Sequence, residues 1–377
     1  MNKLDLANTL KRIVTRKKDR VKNFFVGFDG FVDEIITLVD KRVDASCFVP
    51  MQTIEQFAKR IKSAVRKSTN IELVTKDIRL GGNGPILAKA LILQGHFVHL
   101  VGALGLESIH PVFTELYTSC KTCVSIANPG LTDAIEFQDG KILFGKIRSI
   151  ADISIEQLLT FIPKNRLQTL INKSDVIALV NWTMVQRMNE IWEYILTSII
   201  PFLSKKRNRW FFFDLADPIK REKKDLDRAL ALLSKMAKWV NVALGLNEKE
   251  AEIVFSTLFS KKMPTGKNKL ITLCEEIRKK LKLQLVVIHA IDKASCASPE
   301  KKCQIAGPFC KNPFLSTGAG DNFNAGFCQG LAFGLSSEDA LLLAVTCSGI
   351  YVRTGISPTL EQCISFLESW HKNPAHL

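Results

Sequence analysis

Leu315-Ser316-Thr317-Gly318-Ala319-Gly320-Asp321-Asn322-Phe323-Asn324-Ala325-Gly326-Phe327, followed by Cys328-Gln329-Gly330, is the stretch on which the reading of this chain turns. Gly318-Ala319-Gly320 lets the backbone turn tightly and present bare N–H groups at the start of a helix, where phosphate charge is best stabilised. Asp321 then falls in the first turn of a helix predicted over Ala319–Phe333, close enough to take a proton from a hydroxyl attacking a phosphoryl group held at those amides. The same spacing also describes an ordinary glycine-rich turn with an Asp cap. The surrounding sequence has to decide between the two.

Outward from that stretch, apolar runs of strand length alternate with helix-period segments along the whole chain. Phe24–Phe28, Val98–Gly102, Val176–Asn181, Trp210–Leu215, Val240–Leu244 and Leu285–His289 read as buried strands. Thr53–Lys67, Pro85–Gln94, Gln186–Ile200, Arg221–Lys238, Asn247–Phe259, Lys267–Leu281, Ala319–Phe333 and Ser336–Arg353 read as helices. This order predicts one α/β domain over residues 1–377, a mainly parallel sheet with helices on both faces and ligands at the carboxyl ends of its strands. Two regions, 34–80 and 122–148, break the alternation. In the second, Thr132–Phe137 and Lys141–Phe144 flank Gln138-Asp139-Gly140, a strong hairpin signal. A hairpin has no place in a parallel core, so both segments are expected to form a small β-rich lid over the open end of the sheet.

Composition narrows the function classes. With 377 residues, 46% hydrophobic and 24% charged, and only 21 Gly and 13 Pro, the chain is core-forming, not disordered or fibrous. The net charge of +15 includes Lys3, Lys11, Arg12, Arg16, Lys17, Lys18, Arg20 and Lys22 against Asp5 and Asp19. Without interleaved aromatics this stretch reads as a solvated helix face, not a nucleic-acid site. Charges interrupt Met1–Arg12 before any apolar leader could form, and no apolar run approaches the roughly 20 residues needed to cross a bilayer, so a cytoplasmic protein without membrane association is expected. Ten cysteines then read as reduced thiols. Neither Cys120-Lys-Thr-Cys123 nor Cys296, Cys303 and Cys310 has zinc-site spacing, and His96, His99, His110 and His289 are expected to be structural. Walker-type and dinucleotide fingerprints do not occur, since Gly266-Lys267 is followed by Asn268.

The stretch Ser316–Gly326 resembles the carboxy-terminal signature of the ribokinase-like, or PfkB, carbohydrate kinase family. Gly81-Gly82-Asn83-Gly84-Pro85, with the helix ending at Gly95 and the strand leading to Val101-Gly102-Ala-Leu-Gly105, is similar to the family's amino-terminal motif. Asn247-Glu248-Lys249-Glu250 fits its Asn-x-x-Glu motif. The resemblance covers residues 21–365 and implies a three-layer sandwich and transfer of the γ-phosphoryl of ATP to a hydroxyl of a sugar or nucleoside. It implies Asp321 as base, the amides of Gly318, Ala319 and Gly320 as anion hole, and Thr317 on the nucleotide side. Asn247 and Glu250 would organise Mg2+, Glu250 through water, and a monovalent cation such as K+ is compatible. The substrate would sit against Gly81, Gly82 and Asn83, with Asp33 as the hydroxyl acceptor and Asp29 as its rival. Lys220 or Arg221 would either reach phosphate or cap a loop, and the lid could serve as a homodimer contact. Three positions depart from the pattern: Leu315 stands for an Asp, Ile86 for an Asn, and Ile291 in the nucleotide-side loop His289–Ser295 for a small residue. They raise the alternative of a catalytically weakened homologue with a binding or regulatory role and a shifted nucleotide.

Overall fold

Val176–Leu179 is four apolar residues, all buried, and the strands beside it are nearly as apolar. Such runs form strands covered on both faces, which is what a parallel sheet requires. The computed structural model describes residues 2–16, 20–205 and 208–373, so Met1, Lys17, Lys18 and Asp19 lie outside the described residues. Its strands are β1 Asn23–Gly27, β2 Phe31–Arg42, β3 Phe48–Pro50, β4 Leu73–Gly81, β5 Phe97–Ala103, β6 Thr122–Ala127, β7 Gly130–Phe137, β8 Gly140–Lys146, β9 Val176–Leu179, β10 Trp210–Asp214, β11 Asn241–Asn247, β12 Leu285–His289, β13 Lys293–Ala297 and β14 Lys302–Ala306. Nine of them form one sheet in the order β14-β13-β12-β11-β10-β9-β1-β5-β6. Every neighbouring pair is parallel except β12–β13 and β13–β14.

The longer helices are α1 Lys3–Thr15, α2 Ile54–Ser63, α3 Asn83–Leu93, α4 Lys164–Lys173, α5 Lys223–Met236, α6 Glu248–Leu258, α7 Lys269–Leu281, α8 Ala319–Ala332, α9 Ser337–Thr354 and α10 Leu360–Lys372. Helices α4 to α7 pack on one face of the sheet, and α1, α3, α8, α9 and α10 on the other. Strand β10 feeds both layers: Phe211 and Phe213 enter the first core and Phe212 the second, as alternation along a strand dictates.

The remaining strands build a second sheet in the order β3-β2-β7-β8, with β4 also paired to β2. It has its own small core of Ile36, Leu38, Met51 and Ile135. The expected hairpin forms as β7–β8, with Phe137 paired to Gly140 across the turn. One boundary is corrected. Thr122–Ala127, within the stretch expected of the lid, is β6 and extends the main sheet by parallel pairing with β5.

Two further elements were hidden by charge and polarity. Helix α1 buries Leu6, Ala7 and Leu10, packs on α10, pairs Lys11 with Glu368 and holds the Lys3 ammonium 4.3 Å from the Trp370 ring. Lys3, Lys11 and Arg12 are thus on the outer face of a packed helix. Strands β13 and β14 close the opposite edge of the sheet.

Candidate active site

Strand ends and helix starts converge where the sheet's carboxyl edge meets the lid. Gly318 caps α8 with φ +87, a left-handed conformation. A Cβ there would lie 2.8 Å from the Tyr351 hydroxyl, which donates to the Thr317 carbonyl at 2.8 Å. Glycine is therefore required at 318 on two grounds. Ile86, the substituted Asn position, packs its Cγ2 3.5 Å from the same point.

Asp321 follows in the first turn of α8, buried, and its Oδ1 accepts from the Asn83 side-chain amide at 2.7 Å. Burial, and next the Asp214 carboxylate, hold its pKa well above the ordinary carboxylate value, while the Asn83 bond acts the other way. Asp214 ends β10 and accepts from Asn324 Nδ2 at 2.7 Å; burial, then the Glu250 charge, push it up to about 8. Glu250 closes a reciprocal cap at the start of α6. Its backbone N–H is bound by Asn247 Oδ1 at 2.9 Å, and its carboxylate accepts the N–H groups of Asn247 and Asp217, both at 2.9 Å. Burial raises it too.

Asp29, just after β1, is fully buried and accepts the N–H groups of Asn83 and Gly84 at 2.8 Å and Asn181 Nδ2 at 2.6 Å. Burial lifts it to about 6 against those three donors. Asp29, Asp214, Glu250 and Asp321 thus form an acid cluster to whose shifts no basic side chain contributes. Buried carboxylates without a cation carry a desolvation penalty that a divalent ion would offset, so the cluster fits one. Among the described residues no three His, Cys, Asp or Glu side chains converge as direct ligands of one ion.

The diglycine turn makes room for acids. A Cβ on Gly81 would come within 2.6 Å of Asp33 Oδ1, one on Gly82, at φ +92, within 2.9 Å of Asp29 Oδ2, and one on Gly84 within 2.7 Å of Asp29 Oδ1. Asp33 lies on β2, half-buried, paired in register with Thr132 of β7. Burial raises it, opposed by a bond with Thr132 and by the Lys141 charge. Lys141, from the hairpin, bonds Thr317 Oγ1 and so brings the lid onto the α8 loop. Beside that loop lies a cleft of about 630 Å³ lined by Asn247, His289, Ile291, Lys293, Gly320 and Phe323 among others.

The chain matches the family model of prokaryotic ketohexokinase over residues 10–370. It belongs to that family. It is a carbohydrate kinase of the PfkB, ribokinase-like class. The ketohexokinase of Haloferax volcanii is 23% identical over 346 residues, covering 91% of this chain and 90% of that protein. A ribokinase structure from Arabidopsis thaliana, complexed with ribose and ATP, superposes with a TM-score of 0.61 at 15% identity over 92% of this chain and 99% of the other. The phosphofructokinase-2 of Escherichia coli, in complex with potassium, gives 0.62 at 12% identity over 93% and 98%.

In this kinase the predicted residues divide by surroundings. Gly318, Ala319, Gly320 and Asp321 gather at the start of α8, Asn83 reaches them from the diglycine turn, and Asn247 and Glu250 face them from α6. Asp29 does not present itself to a substrate, because its oxygens are committed to three internal donors, which leaves Asp33. Arg221 is no phosphate ligand. Its guanidinium lies 4.1 Å from the Trp182 ring and donates to the carbonyls of Trp182, Val185 and Gln186, its side chain only 4% exposed. Lys220 pairs with Asp217 at 3.3 Å. Ile291 is 91% exposed at the rim of the cleft and does not fill it. The ten cysteines are free thiols, with Cys296 and Cys303 facing across β13–β14 at 3.2 Å. His289, expected to be structural, lines the cleft.

Asp214, Asn181, Asn324 and Lys141 were missed. Asp214 had a signal, a carboxylate at the carboxyl end of an apolar strand in a βα pattern. Asn181 had none, since its φ of +59 and its bond to Asp29 depend on tertiary packing.

Proposed function

We propose that this kinase transfers the γ-phosphoryl of ATP to a hydroxymethyl oxygen of a ketohexose. The observation that carries this reading is the bond between Asn83 and Asp321. It holds the carboxylate between the diglycine turn next to Asp33 and the open amides of the α8 loop, where a hydroxyl on one side and a phosphoryl on the other would meet. Asp33 accepts from substrate hydroxyls, and Asp321 takes the proton of the attacking hydroxyl as its oxygen bonds to phosphorus. The bond from phosphorus to the β–γ bridging oxygen breaks, and the amides of Gly318 and Gly320 face the charge that develops, whereas the Ala319 N–H, expected to join them, is committed to the Ser316 carbonyl at 3.2 Å. Asp214, Asn247 and Glu250 are the residues that would organise Mg2+, where the ion would supply neutralising charge. Thr317 sits on the nucleotide side of the loop. The potassium of the phosphofructokinase-2 neighbour motivates a monovalent cation as activator. The ketohexokinase relative motivates the ketohexose.

Free thiols throughout support a cytoplasmic setting, and among the described residues no helix is long and apolar enough to cross a membrane. Exposed Leu73, Ile78, Leu143 and Phe144 on the lid strands support a homodimer joined there. Leu315 at the head of the α8 loop favours the second reading, a weakened homologue that binds without turnover. Mass spectrometry decides. After incubation with ATP, Mg2+ and a panel of ketoses, aldoses and nucleosides, a ketohexose gains one phosphoryl group. A nucleoside monophosphate as main product overturns the sugar assignment, and binding without any product favours the second reading.

A further inference from the structure

Strands β13 and β14 carry a pair of thiols that the kinase reaction does not use. Cys296 and Cys303 are register partners across this antiparallel ribbon, and their sulfurs stand 3.2 Å apart. Directly opposed residues of an antiparallel pair have Cα atoms about 4.5–5.5 Å apart, inside the range that a disulfide spans. Closing the sulfurs to a bonded distance of about 2 Å therefore takes only about 1 Å of travel, with the backbone left in place.

The two thiols differ in access. Strand β14 is the edge of the sheet and Cys303 on it is 8% exposed, whereas Cys296 is wholly enclosed, with the Ser337 carbonyl at the start of α9 3.4 Å from its sulfur. They differ in acidity in the same sense. A hydrogen bond from Cys296 lowers the Cys303 thiol, opposed by burial and the Glu338 charge and helped by Lys301; the same bond, and then burial, raise Cys296. Access and thiolate character both make Cys303 the sulfur that reacts first. A second close pair gives the contrast. Cys347 and Cys363, 3.6 Å apart between α9 and α10, are both wholly buried.

We propose that Cys296 and Cys303 form a redox pair, in which Cys303 reacts with peroxide and Cys296 resolves it to a disulfide that staples β13 to β14. In the first step the Cys303 thiolate attacks one oxygen of hydrogen peroxide. The S–O bond forms, the O–O bond breaks, and the leaving hydroxide is protonated to water. In the second the Cys296 sulfur attacks the Cys303 sulfenic acid; the S–S bond forms, the S–O bond breaks, and the departing hydroxide takes the Cys296 proton as a second water. Two thiols lose two electrons, and one peroxide gains them. In a reducing compartment such a bond is transient and senses oxidant. Lys293 and Ala294 of β13 and Gly307 just past β14 line the cleft, so the staple ties together one of its walls.

Peptide mass mapping on the full chain tests it. The reduced protein is treated with a few equivalents of hydrogen peroxide, blocked with iodoacetamide in denaturant and digested with trypsin. Because Lys301 and Lys302 separate the two cysteines, their peptides travel together only when the bond exists. The expected product is a Cys296–Cys303 link, lighter by two hydrogens, cleaved by dithiothreitol and in about tenfold excess over any Cys347–Cys363 link. Fragment ions separate Cys303 from Cys310, which shares its peptide. At the same dose Cys296→Ala should carry Cys303 on to sulfinic acid, and Cys303→Ser should leave Cys296 a free thiol. The proposal is overturned if the parent shows no Cys296–Cys303 link once the exposed Cys47 has been oxidised. It is equally overturned if the link runs to Cys310, if Cys347–Cys363 forms first, or if Cys296 oxidises in Cys303→Ser. The parent digest decides by itself should either variant fail to fold.

Discussion

Strand β9 and strand β8 are both short and both apolar in part, yet they live in opposite surroundings. All four residues of β9 are buried, whereas six of the seven in β8 are exposed, Leu143 and Phe144 among them. The main sheet gains stability from apolar surface removed from water on both faces, at roughly 25 cal/mol per Å². Beyond Phe31 and Val32 at the start of β2, which enter the two main cores, the lid sheet has a small core of its own of four residues and a few point contacts. These include the Ile54 N–H bound to Asp139 Oδ1 at 2.9 Å and the bond from Lys141 to Thr317. Elements with little buried area open at low cost. The contrast describes a deeply buried floor that carries the acid cluster and the proposed anion-binding loop, under a cover with less buried surface.

The hardest way to break that division is to disable the floor. Asp321→Asn keeps shape and removes basicity, so kcat should fall by roughly two to four decades with little change in substrate affinity. Coupled measurement of ADP release checks it, and turnover within threefold of the parent would remove Asp321 from its role. Next in size are the loop glycines, which should behave differently from each other. Gly318→Val meets both a left-handed φ and the Tyr351 hydroxyl, and about a hundredfold or greater loss of activity is expected. Gly320→Ala meets only ordinary contact with His289 and should retain activity within about tenfold. Equal losses would show that crowding by the protein does not set the loop's tolerance.

Changes to the cover should be milder. Replacing Gln138–Lys141 by a short loop should lower sugar phosphorylation by about tenfold and raise the share of ATP lost to water, because closure excludes the competing nucleophile. Hydrogen exchange reads the motion directly, since amides in 132–145 should gain protection when sugar is added. Unchanged exchange during full turnover would make the hairpin a bystander.

The smallest expected effect is on stability. Asp214 has a folded pKa of about 8, above its unfolded value, so the folded protein holds more protons there and loses stability as pH rises through 8. Asp214→Asn should therefore raise the ligand-free Tm at pH 8 by about 1–3 °C and flatten its decline between pH 7 and 8.5. A lower Tm at both ends would mean that the bond to Asn324 matters more than the charge.

How far the sequence could be read follows the same division. The strands of the main sheet were readable because they are continuous apolar runs, and the loop at Gly318–Asp321 because its residues, ambiguous as a glycine-rich turn, resemble the family's signature. Strands β13 and β14 escaped, since Lys293-Ala-Ser-Cys-Ala is no apolar run and the alternation in Lys302-Cys-Gln-Ile-Ala is too short to stand out. Helix α1 reads as a solvated helix face because its charges outnumber the Leu6, Ala7 and Leu10 stripe, and it is the packing of that stripe that escaped. The choice between Asp29 and Asp33 was not available from pattern at all, because it depends on which carboxylate the Asn83, Gly84 and Asn181 donors enclose. The bond from Asn83 to Asp321 spans 238 residues of chain, and no local signal reports a contact at that distance.

The position of β1 in the sheet has a consequence for synthesis. Phe24, Phe25 and Val26 are wholly buried, with β5 on one side and β9 on the other. The Asn23 N–H that anchors this strand finds its acceptor on Asp175, 152 residues further along. At ribosomal speeds of about 5–20 residues per second, that partner emerges roughly 8 to 30 seconds after the strand does. Throughout the interval the β9 side of this aromatic-rich strand has no partner on the growing polypeptide, although β5 is already available to its other side.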